Sequence, residues 1–377
     1  MRKLLRNVAL GMAVGLSLTA CASAGAGAGA DVEGMPQQLV WSTYGMGTST
    51  YADVAAVSQA ITNGTDHTAR IITADTAIGR MGPLKQGTAN MARTGNEYIY
   101  AFEADYEFAS EEWGPQDVQL IWAPVAPHGL MVRDSSQIQS YEDLEGSKFP
   151  RITANPSVNN SLTAMLAYGG LTWDDVEPVD ISYSEQADAV KSGQLDVLFQ
   201  QVYGASLYEL ESAFAVRWLS MDDDSPEKIA AVEEQAPYAE IGDFAGAAGQ
   251  SDGESARGLI YTLPLIAYAE TSESAAYETA EAIQENYENF KDATATTENW
   301  GLEQANSIPS TVPFHAGTVE FLKDNNAWSA EADLKNEALI ERGEKMRAGW
   351  TTFIKSADKE NLAEEWAAWK STNLSAL

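Results

Sequence analysis

Two hydrophobic periodicities alternate along the chain. Short apolar runs rich in β-branched and aromatic residues are followed by longer segments in which apolar positions recur at helical spacing. This alternation predicts an α/β protein with mostly parallel sheets. Strands are predicted over residues 38–44, 69–73, 89–93 and 118–125, and then over 148–154, 179–182, 196–201 and 216–221.

Helices are predicted between these strands. Gly193 is suited to end one of them, and the acidic residues 222–224 are suited to precede another, because negative charge favours a helix N-terminus. The helices are expected to begin near Tyr51, Ala77, Asn96 and Pro226, and to span residues 157–168, 184–192 and 205–213.

The pattern changes after the last of these elements. Residues 241–258 are rich in Gly, Ala, Ser and Asp and are predicted to form a loop. Residues 259–269 are predicted to form one strand that returns to the first half of the protein. C-terminal helices are expected over 272–290 and from Gly317, with Trp350, Trp366 and Trp369 packing against the rest.

The βαβ pattern begins afresh near Gly129 and returns to the first half near Pro264. The sequence therefore predicts two lobes that are joined by two crossings of the chain, which is the arrangement a hinge requires. We expect residues 31–128 and 265–377 to form a discontinuous lobe I, and 129–264 to form lobe II. The chain of 377 residues, 45% of them hydrophobic, is large enough to fill two cores.

Residues 1–30 resemble an export signal followed by a Gly-Ala linker. Basic residues precede an apolar stretch that is too short to span a membrane, and small residues follow it. Residues 18–21, Leu-Thr-Ala-Cys, resemble a lipobox, which predicts lipidation of Cys21, whereas residues 22–24 also fit ordinary signal cleavage. Because the chain has a single cysteine, neither alternative allows an intramolecular disulfide. The mature protein is expected outside the cytoplasm, with a possible lipid anchor.

The charge of the chain is strongly negative. It has 55 acidic and 23 basic residues and a formal net charge of −32, and loss of the signal removes three more basic residues. Such a surface repels nucleic acid and anionic lipid, which are therefore excluded as partners. A saline habitat and an ordinary acidic secreted protein are both compatible with this composition.

The first predicted strand ends at a turn with anion-binding chemistry. A helix N-terminus presents free backbone N–H groups, and hydroxyl groups beside it add hydrogen bonds to a carboxylate or phosphate. The alternative is a capped turn that binds nothing, since Ser and Thr are ordinary N-caps. The turn contains Gly47, Thr48, Ser49, Thr50 and Tyr51.

Enzyme functions have little support in the sequence. Gly45 and Gly47 after a strand, with Asp75 after the next, resemble a dinucleotide-binding fingerprint, but Thr50 replaces its third glycine. Hydrolase and metal-binding motifs are missing, and the three histidines (His67, His128 and His315) are far apart in sequence and are expected in loops or cores. We therefore expect a binding protein without catalytic residues, metal or cofactor.

Arginines are the other candidate ligands for an anion, since basic residues are scarce. Arg93 ends a strand and Arg80 begins a helix, and either side chain fits a carboxylate at the carboxyl edge of the sheet. Surface ion pairing is the alternative for both, and it is the favoured interpretation for Arg80. Polar residues at equivalent edges complete the expected ligand-binding set: Asp75, Thr76, Thr94 and Asn96 in lobe I, and Asn155, Ser157, Asn159, Gln200 and Tyr203 in lobe II.

Several motifs resemble the TAXI family of substrate-binding proteins (solute receptors) of TRAP transporters. The closest are residues 182–196, the turn with Gly45, Thr50 and Tyr51, the Asp-Leu-x-Gly turn at 143–146, and Pro-x-His-x-Gly at 313–317. The resemblance implies a two-lobed periplasmic-binding-protein-like (Venus flytrap) fold, a small organic anion such as a glutamate-like or other carboxylate ligand, and delivery to TRAP membrane subunits by hinge closure.

The sequence departs from the family at two loops. Thr48 and Ser49 replace a usual glycine pair, and residues 155–160 replace a Gly-Ser-Gly-Thr loop, so the identity of the ligand stays open. A binding subunit that reports ligand occupancy to a signalling receptor is the alternative function with the same fold.

Overall fold

The computed structural model describes residues 34–374. Cys21 and the expected signal and linker segment lie outside the described residues. The strands are β1 Gln38–Thr43, β2 Thr68–Thr73, β3 Met91–Arg93, β4 Val118–Trp122, β5 Val125–Arg133, β6 Lys148–Ile152, β7 Glu177–Ile181, β8 Val197–Gln201, β9 Val216–Trp218, β10 Glu240–Ala245, β11 Ser255–Thr262 and β12 Leu265–Tyr268.

Helices cover both sheets and form most of the C-terminal region. Three of the predicted starts coincide with capped N-termini, since Thr48, Thr76 and Asn155 each accept a hydrogen bond from a backbone N–H of the first turn. The helices are α1 Ser49–Gly64, α2 Ala77–Lys85, α3 Glu97–Glu103, α4 Pro156–Tyr168, α5 Gln186–Ser192, α6 Ala205–Ala213, α7 Pro226–Gln235, α8 Glu273–Glu285, α9 Tyr287–Phe290, α10 Ala316–Asp324, α11 Ala330–Phe353 and α12 Leu362–Asn373.

The first sheet has the strand order β2-β1-β3-β12-β4. β1 is parallel to β2 and β3, as the βαβ pattern predicts, whereas β12 is antiparallel to both of its neighbours. The C-terminal tryptophans pack as expected: Trp366 is fully buried, stacks on Trp369, and donates its indole N–H to Glu103 O at 2.8 Å.

The second sheet corrects the expectation of mostly parallel strands. Its order is β10-β11-β5-β8 with β9 also paired to β5, and every pair in it is antiparallel. Only β6 and β7 form a parallel pair in this half, as a separate two-stranded sheet. The central strand β5 was missed, because the sequence interpretation joined its first residue to the preceding strand and began the next strand only at Lys148.

The predicted loop over 241–258 is wrong, since these residues contain β10 and the start of β11. Glycine content suggested a loop, but here glycine allows close strand approach. A β-carbon on Gly258 would lie 2.2 Å from His128 O, and one on Gly242 would lie 2.7 Å from Ile260 Cγ1. Likewise, the single strand predicted over 259–269 is broken at Leu263 and Pro264 into β11 and β12, which belong to different sheets.

The two-lobed α/β fold is confirmed. Within the described residues, the chain passes between the large sheets at Ala123–Pro124 and again at Leu263–Pro264, and Leu263 N donates to Pro124 O at 3.0 Å, so the two crossings lie side by side. The lobe bounds expected from the sequence, with crossings near Gly129 and Pro264, stay a prediction.

Two hydrophobic cores accompany the two sheets. One is built from residues in 35–123 and 265–374, and the other from residues in 126–263 together with Tyr44. Tyr44 follows β1 of the first sheet, yet its ring packs 5.0 Å from that of Tyr183 in the second half. The end of β1 is therefore in direct contact with the opposite lobe.

None of the helices within residues 34–374 is both long and apolar enough to cross a bilayer.

Candidate ligand-binding site

The α1 N-terminus lies where the two lobes meet. Thr48 Oγ1 accepts from Tyr51 N at 3.2 Å, and the side chains of Thr48, Ser49 and Thr50 are each 3% exposed. Gly47 adopts φ = 90°, a left-handed conformation that favours glycine, and its carbonyl accepts from Ser206 N at 3.2 Å. The turn is therefore held from both lobes.

Thr50 faces β8 of the opposite lobe. Its hydroxyl donates to Gln201 Oε1 at 2.9 Å, which leaves Gln201 Nε2 buried without a partner among the described residues. The neighbouring Gln200 is also buried, and its Oε1 accepts from Ser206 Oγ at 3.1 Å. Of these two amides, only that of Gln201 bonds the opposite lobe, since Gln200 donates to Tyr183 O at 3.4 Å within its own lobe.

Arg93 is fully buried at the end of β3. Its Nη2 lies 3.5 Å from Asp53 Oδ2, and its guanidinium carbon lies 4.6 Å from the centre of the Trp300 ring. Within the described part of the chain, Nε and Nη1 have no hydrogen-bond partner. Burial lowers the pKa of Arg93 to about 10, against the opposing effect of Asp53, so the side chain remains charged at neutral pH.

Asp53 lies on the buried face of α1 and was not identified from the sequence. Its Oδ1 accepts hydrogen bonds from the hydroxyl groups of Thr294 at 2.7 Å and Thr296 at 2.6 Å, both from the segment after α9. Burial raises the pKa of Asp53, whereas Arg93 and the two hydroxyl groups act to lower it. The only sign of Asp53 in the sequence was an acidic residue at a position of α1 where the helical pattern expects an apolar one.

Thr94 and Asn96 follow Arg93 and meet the start of α4. Asn96 N donates to Ser157 Oγ at 2.7 Å, while the Asn96 amide and the Thr94 hydroxyl are buried without partners among the described residues. Between them, a β-carbon on Gly95 would lie 2.5 Å from Tyr44 Oη and 2.6 Å from Ser157 Oγ. Only glycine fits this close contact between the lobes.

Asp75 bridges the lobes at the end of β2. Its Oδ2 accepts from both Ser184 Oγ and Ser184 N, and its carbonyl accepts from Asn155 Nδ2 at 3.1 Å. Thr76 beside it caps α2 through Gly79 N at 3.1 Å. Asp75 and Asn155 thus hold the lobes together in this structure.

Two predicted residues do not join this group. Both ends of the Asn159 amide are bonded to the Ile152 backbone at 2.8 Å, which fixes the end of β6. Tyr203 donates to Ala245 O at 2.8 Å within the second lobe. Both side chains therefore have a local structural role, which their proximity in sequence to the other candidates did not indicate.

Arg80 corrects the expectation of surface pairing. Arg80 and Glu97 are both fully buried, with Nε and Oε1 2.5 Å apart, and the guanidinium carbon lies 3.6 Å from the centre of the Tyr44 ring. Burial acts to lower the pKa of Arg80, but Glu97 raises it above its ordinary value. Arg80 and Glu97 are therefore a second buried ion pair at the lobe contact. The two residues are separated in sequence by β3.

Tyrosine rings from both lobes surround these polar groups. Tyr44 and Tyr183 are in contact, as are Tyr238 and Tyr261, whose ring centres are 5.6 Å apart. Tyr238 is near Ser161, Tyr100 and Asn96, and burial raises its pKa to about 12. The tyrosines therefore stay protonated and present apolar faces and hydroxyl groups to the same region.

Buried polar atoms without partners are concentrated at this contact. Leaving such an atom unpaired costs about 1–3 kcal/mol, so a polar molecule that bonded these atoms would be favoured here. Among the described residues, the cluster contains the hydroxyl groups of Ser42, Thr43, Ser49 and Thr94, the amide of Asn96, Gln201 Nε2, and Nε and Nη1 of Arg93.

Residues 34–374 contain no group of three or more His, Cys, Asp or Glu side chains that could hold a metal ion. The three histidines occupy separate places: His67 bonds Pro36 O, His128 lies buried in β5, and His315 caps α10.

The chain was compared with known families and structures. The family model described as NMT1-like matches residues 42–325. A search of curated proteins finds no match.

Several solved structures resemble this chain at low sequence identity. A structure described as a periplasmic transporter has a TM-score of 0.48 at 12% identity, covering 81% of this chain and 97% of its own. The alkanesulfonate-binding protein SsuA from Xanthomonas axonopodis pv. citri, bound to MOPS, has a TM-score of 0.42 at 13% identity, covering 79% and 96%. The substrate-binding protein of an amino acid ABC transporter has a TM-score of 0.40 at 14% identity, covering 70% and 98%.

Proposed function

The chain belongs to the NMT1-like family, and from this premise and the chemistry of the lobe contact we propose that it is an extracytoplasmic solute-binding protein. It captures a small organic anion of the carboxylate class and has no catalytic role. The ligand is bound between the lobes and involves Arg93, the α1 turn at 47–51, and the polar groups of Thr94, Asn96, Ser157 and Gln200.

The observation that carries this proposal is the state of Arg93. A fully buried guanidinium has two nitrogens without partners among the described residues, and its only carboxylate neighbour is 3.5 Å away. Charged hydrogen bonds to a carboxylate are short and strong in a dry site, and planar guanidinium matches planar carboxylate. Asp53 alone leaves most of that capacity unused.

The net negative charge of the protein does not oppose this assignment. Salt screens charges beyond about 8 Å at physiological ionic strength, whereas Arg93 acts at hydrogen-bond distance. Arg93 is fully buried beside the Trp300 ring, away from the exposed acidic side chains.

Hinge closure is the proposed mechanism. The lobes, proposed as residues 31–128 with 265–377 and residues 129–264, are linked by two adjacent crossings, and a ligand that contacts both lobes stabilises their closed arrangement. The closed surface is then what membrane subunits recognise. Motifs such as residues 182–196 and 313–317 support a TRAP-type transporter as the recipient.

Ligand capture is tested by screening the purified protein for thermal stabilisation with glutamate, glutarate, malate, succinate and glucose, followed by calorimetric titration. We expect stabilisation by carboxylates and none by glucose.

Replacing Arg93 by Met should weaken binding about ten-fold to a hundred-fold or more, because a charged hydrogen bond contributes about 1.5–3 kcal/mol. Arg151→Met is the matched control, since Arg151 is half exposed and paired with Asp180. Unchanged affinity in both Arg93→Met and Thr50→Val would rule out the site.

Transport and anchoring are tested in the source cell. Deleting the gene should abolish uptake of the identified ligand, whereas loss of a signalling response with normal uptake would favour the sensor function. A Cys21→Ala protein should lose labelled fatty acid and move to the soluble exported fraction; equal solubility of both forms would indicate cleavage after Ala24.

A further inference from the structure

The Asp53–Arg93 pair has an unusual distribution of hydrogen bonds. Asp53 Oδ1 accepts two hydroxyl hydrogen bonds, from Thr294 and Thr296, whereas Oδ2 accepts none from the described residues. Arg93 Nη2 lies 3.5 Å from Oδ2, and the Gln201 amide also faces the carboxylate. Both side chains are at most 1% exposed. The two charges therefore compensate each other without the paired hydrogen bonds of a close guanidinium–carboxylate contact.

An anionic ligand at Arg93 upsets this balance. Asp53 and the ligand then place two negative charges against one positive charge in a buried site, where an uncompensated charge is strongly unfavourable. A charge that water does not solvate is neutralised most directly by a proton. The carboxylate that already shares Arg93 is the group best placed to receive it.

Among residues 34–374, no other group that acts on Asp53 supplies the missing positive charge. Besides Arg93, the groups that act on Asp53 are the neutral side chains of Thr294, Thr296 and Gln201. His128 lies near Arg93 but stays neutral, because burial lowers its pKa to about 3.

The other buried cation at the lobe contact is compensated by its own carboxylate. Arg80 contacts Glu97 through Nε and donates to Ala74 O at 2.9 Å through Nη1, while its Nη2 has no partner among the described residues.

We propose that an anionic ligand binds at Arg93 together with one proton, which Asp53 Oδ2 takes up from solvent. This inference rests on the proposed function and describes how the same site is regulated. An O–H bond forms at Oδ2, the two threonine hydrogen bonds at Oδ1 stay in place, and the whole charge of Arg93 becomes available to the ligand. Asp53 is thus a positioning and charge-balancing residue.

Proton uptake makes ligand affinity depend on pH. The complex holds one more proton than the free protein, so lowering the pH favours the complex. Where Asp53 is ionised in the free protein and protonated in the complex, the dissociation constant rises about ten-fold for each pH unit. For a dicarboxylate probe, the pH range of the measurement must lie above the pKa values of the probe itself.

Calorimetry measures the proton directly. Glutarate is titrated into the full mature protein at one neutral pH in buffers with different ionisation enthalpies, and the slope of the observed enthalpy against buffer enthalpy counts the protons taken up. We expect a slope near one for wild type and near zero for Asp53→Asn, with binding retained. Glu107→Gln should keep the wild-type slope; Glu107 is the matched control because burial raises its pKa to about 6. Glutarate binding to wild type with zero slope would overturn the proposal.

Infrared spectroscopy without a ligand tests the protonation of Asp53 independently of glutarate. Arg93→Met removes the compensating cation, so Asp53 should be protonated at neutral pH and give the infrared C=O band of a buried carboxylic acid. The band should be missing in wild type and in the Asp53→Asn/Arg93→Met double variant. A folded Arg93→Met protein without the band would overturn proton coupling. The band without glutarate binding would instead reject glutarate as a ligand and leave the coupling intact. If Arg93→Met does not fold, Arg93→Gln replaces it.

Discussion

At the residue scale, this acidic protein keeps two arginines and two carboxylates fully buried beside each other. Arg80 with Glu97 and Arg93 with Asp53 each form one pair, and the members of each pair come from different elements. A buried pair contributes little net stability, but removing one partner leaves an uncompensated charge. Losing one member of either pair should therefore destabilise the first lobe.

Replacing Arg80 by Met should lower the free energy of unfolding by about 3–5 kcal/mol, because Glu97 is left buried without its compensating cation. Urea unfolding followed by tryptophan fluorescence measures the loss. Arg151→Met removes an exposed partner of Asp180 and should leave the midpoint nearly unchanged. Equal midpoints for the two variants would contradict the importance of the buried pair.

His128 provides a pH-dependent contribution to stability. Its ring is buried, stacks on Tyr261 with centres 4.1 Å apart, and has a pKa lowered by burial to about 3. The unfolded chain binds a proton below about pH 6.5, which the folded protein does not, so stability falls as the pH falls from 6.5 toward 3. This single group contributes about 1.4 kcal/mol per pH unit across that window.

The variant His128→Phe should remove this component. Urea unfolding at pH 6 and pH 5 should show a wild-type loss that exceeds the loss of the variant by about 1.4 kcal/mol, because phenylalanine cannot take up the proton. Parallel losses in the two proteins would mean that His128 is already protonated in the native state.

At the element scale, the second sheet depends on glycines inside its strands. Gly258 of β11 packs on the backbone of β5, where a β-carbon would lie 2.2 Å from His128 O, while Gly253 in the β10–β11 turn has open space but φ = 84°. The first glycine is needed for strand contact and the second only for backbone conformation.

Alanine at Gly258 should therefore destabilise the protein more than alanine at Gly253. We expect about 3 kcal/mol for Gly258→Ala, because two strands must separate, against about 1 kcal/mol for Gly253→Ala, where only a left-handed conformation is strained. Thermal or urea unfolding of the two variants measures the difference. A larger loss for Gly253→Ala would contradict this assignment.

At the scale of the whole molecule, direct hydrogen bonds join the lobes. Asp75 accepts two of them from Ser184 and one through its carbonyl from Asn155, and Thr50 bonds Gln201. These hydrogen bonds stabilise the arrangement of the lobes in this structure, and the proposed ligand would add to them.

Asp75→Ala should shift the ligand-free protein toward an open state by about ten-fold or more, since it removes hydrogen bonds to a charged group. Small-angle scattering should report a larger radius of gyration than for wild type, and a saturating ligand should reduce it. Asp188→Ala, an exposed acid on α5, is the control. An unchanged radius in Asp75→Ala would mean that other contacts keep the lobes closed.

Local elements were predictable wherever a short pattern decides them. The α1 and α4 starts follow from the capping residues Thr48 and Asn155, and α5 ends at Gly193 with φ = 78°, as expected for a glycine stop. The restart of the pattern predicted the two lobes. The ligand-binding residues named from the sequence stay predictions until a ligand is bound.

What the sequence by itself determined is therefore most of the helices, the strands of the first half, the two-lobed class and the acidic charge, because caps and periodicity act over a few residues and charge follows from composition. Only the tertiary structure decided that 240–262 is a hairpin, that β5 is antiparallel to its neighbours, and that Asp53 and Glu97 meet two arginines. The physical reason is that strand partners and buried ion pairs join residues far apart in sequence. Their free energy depends on burial and distance, which no local pattern contains.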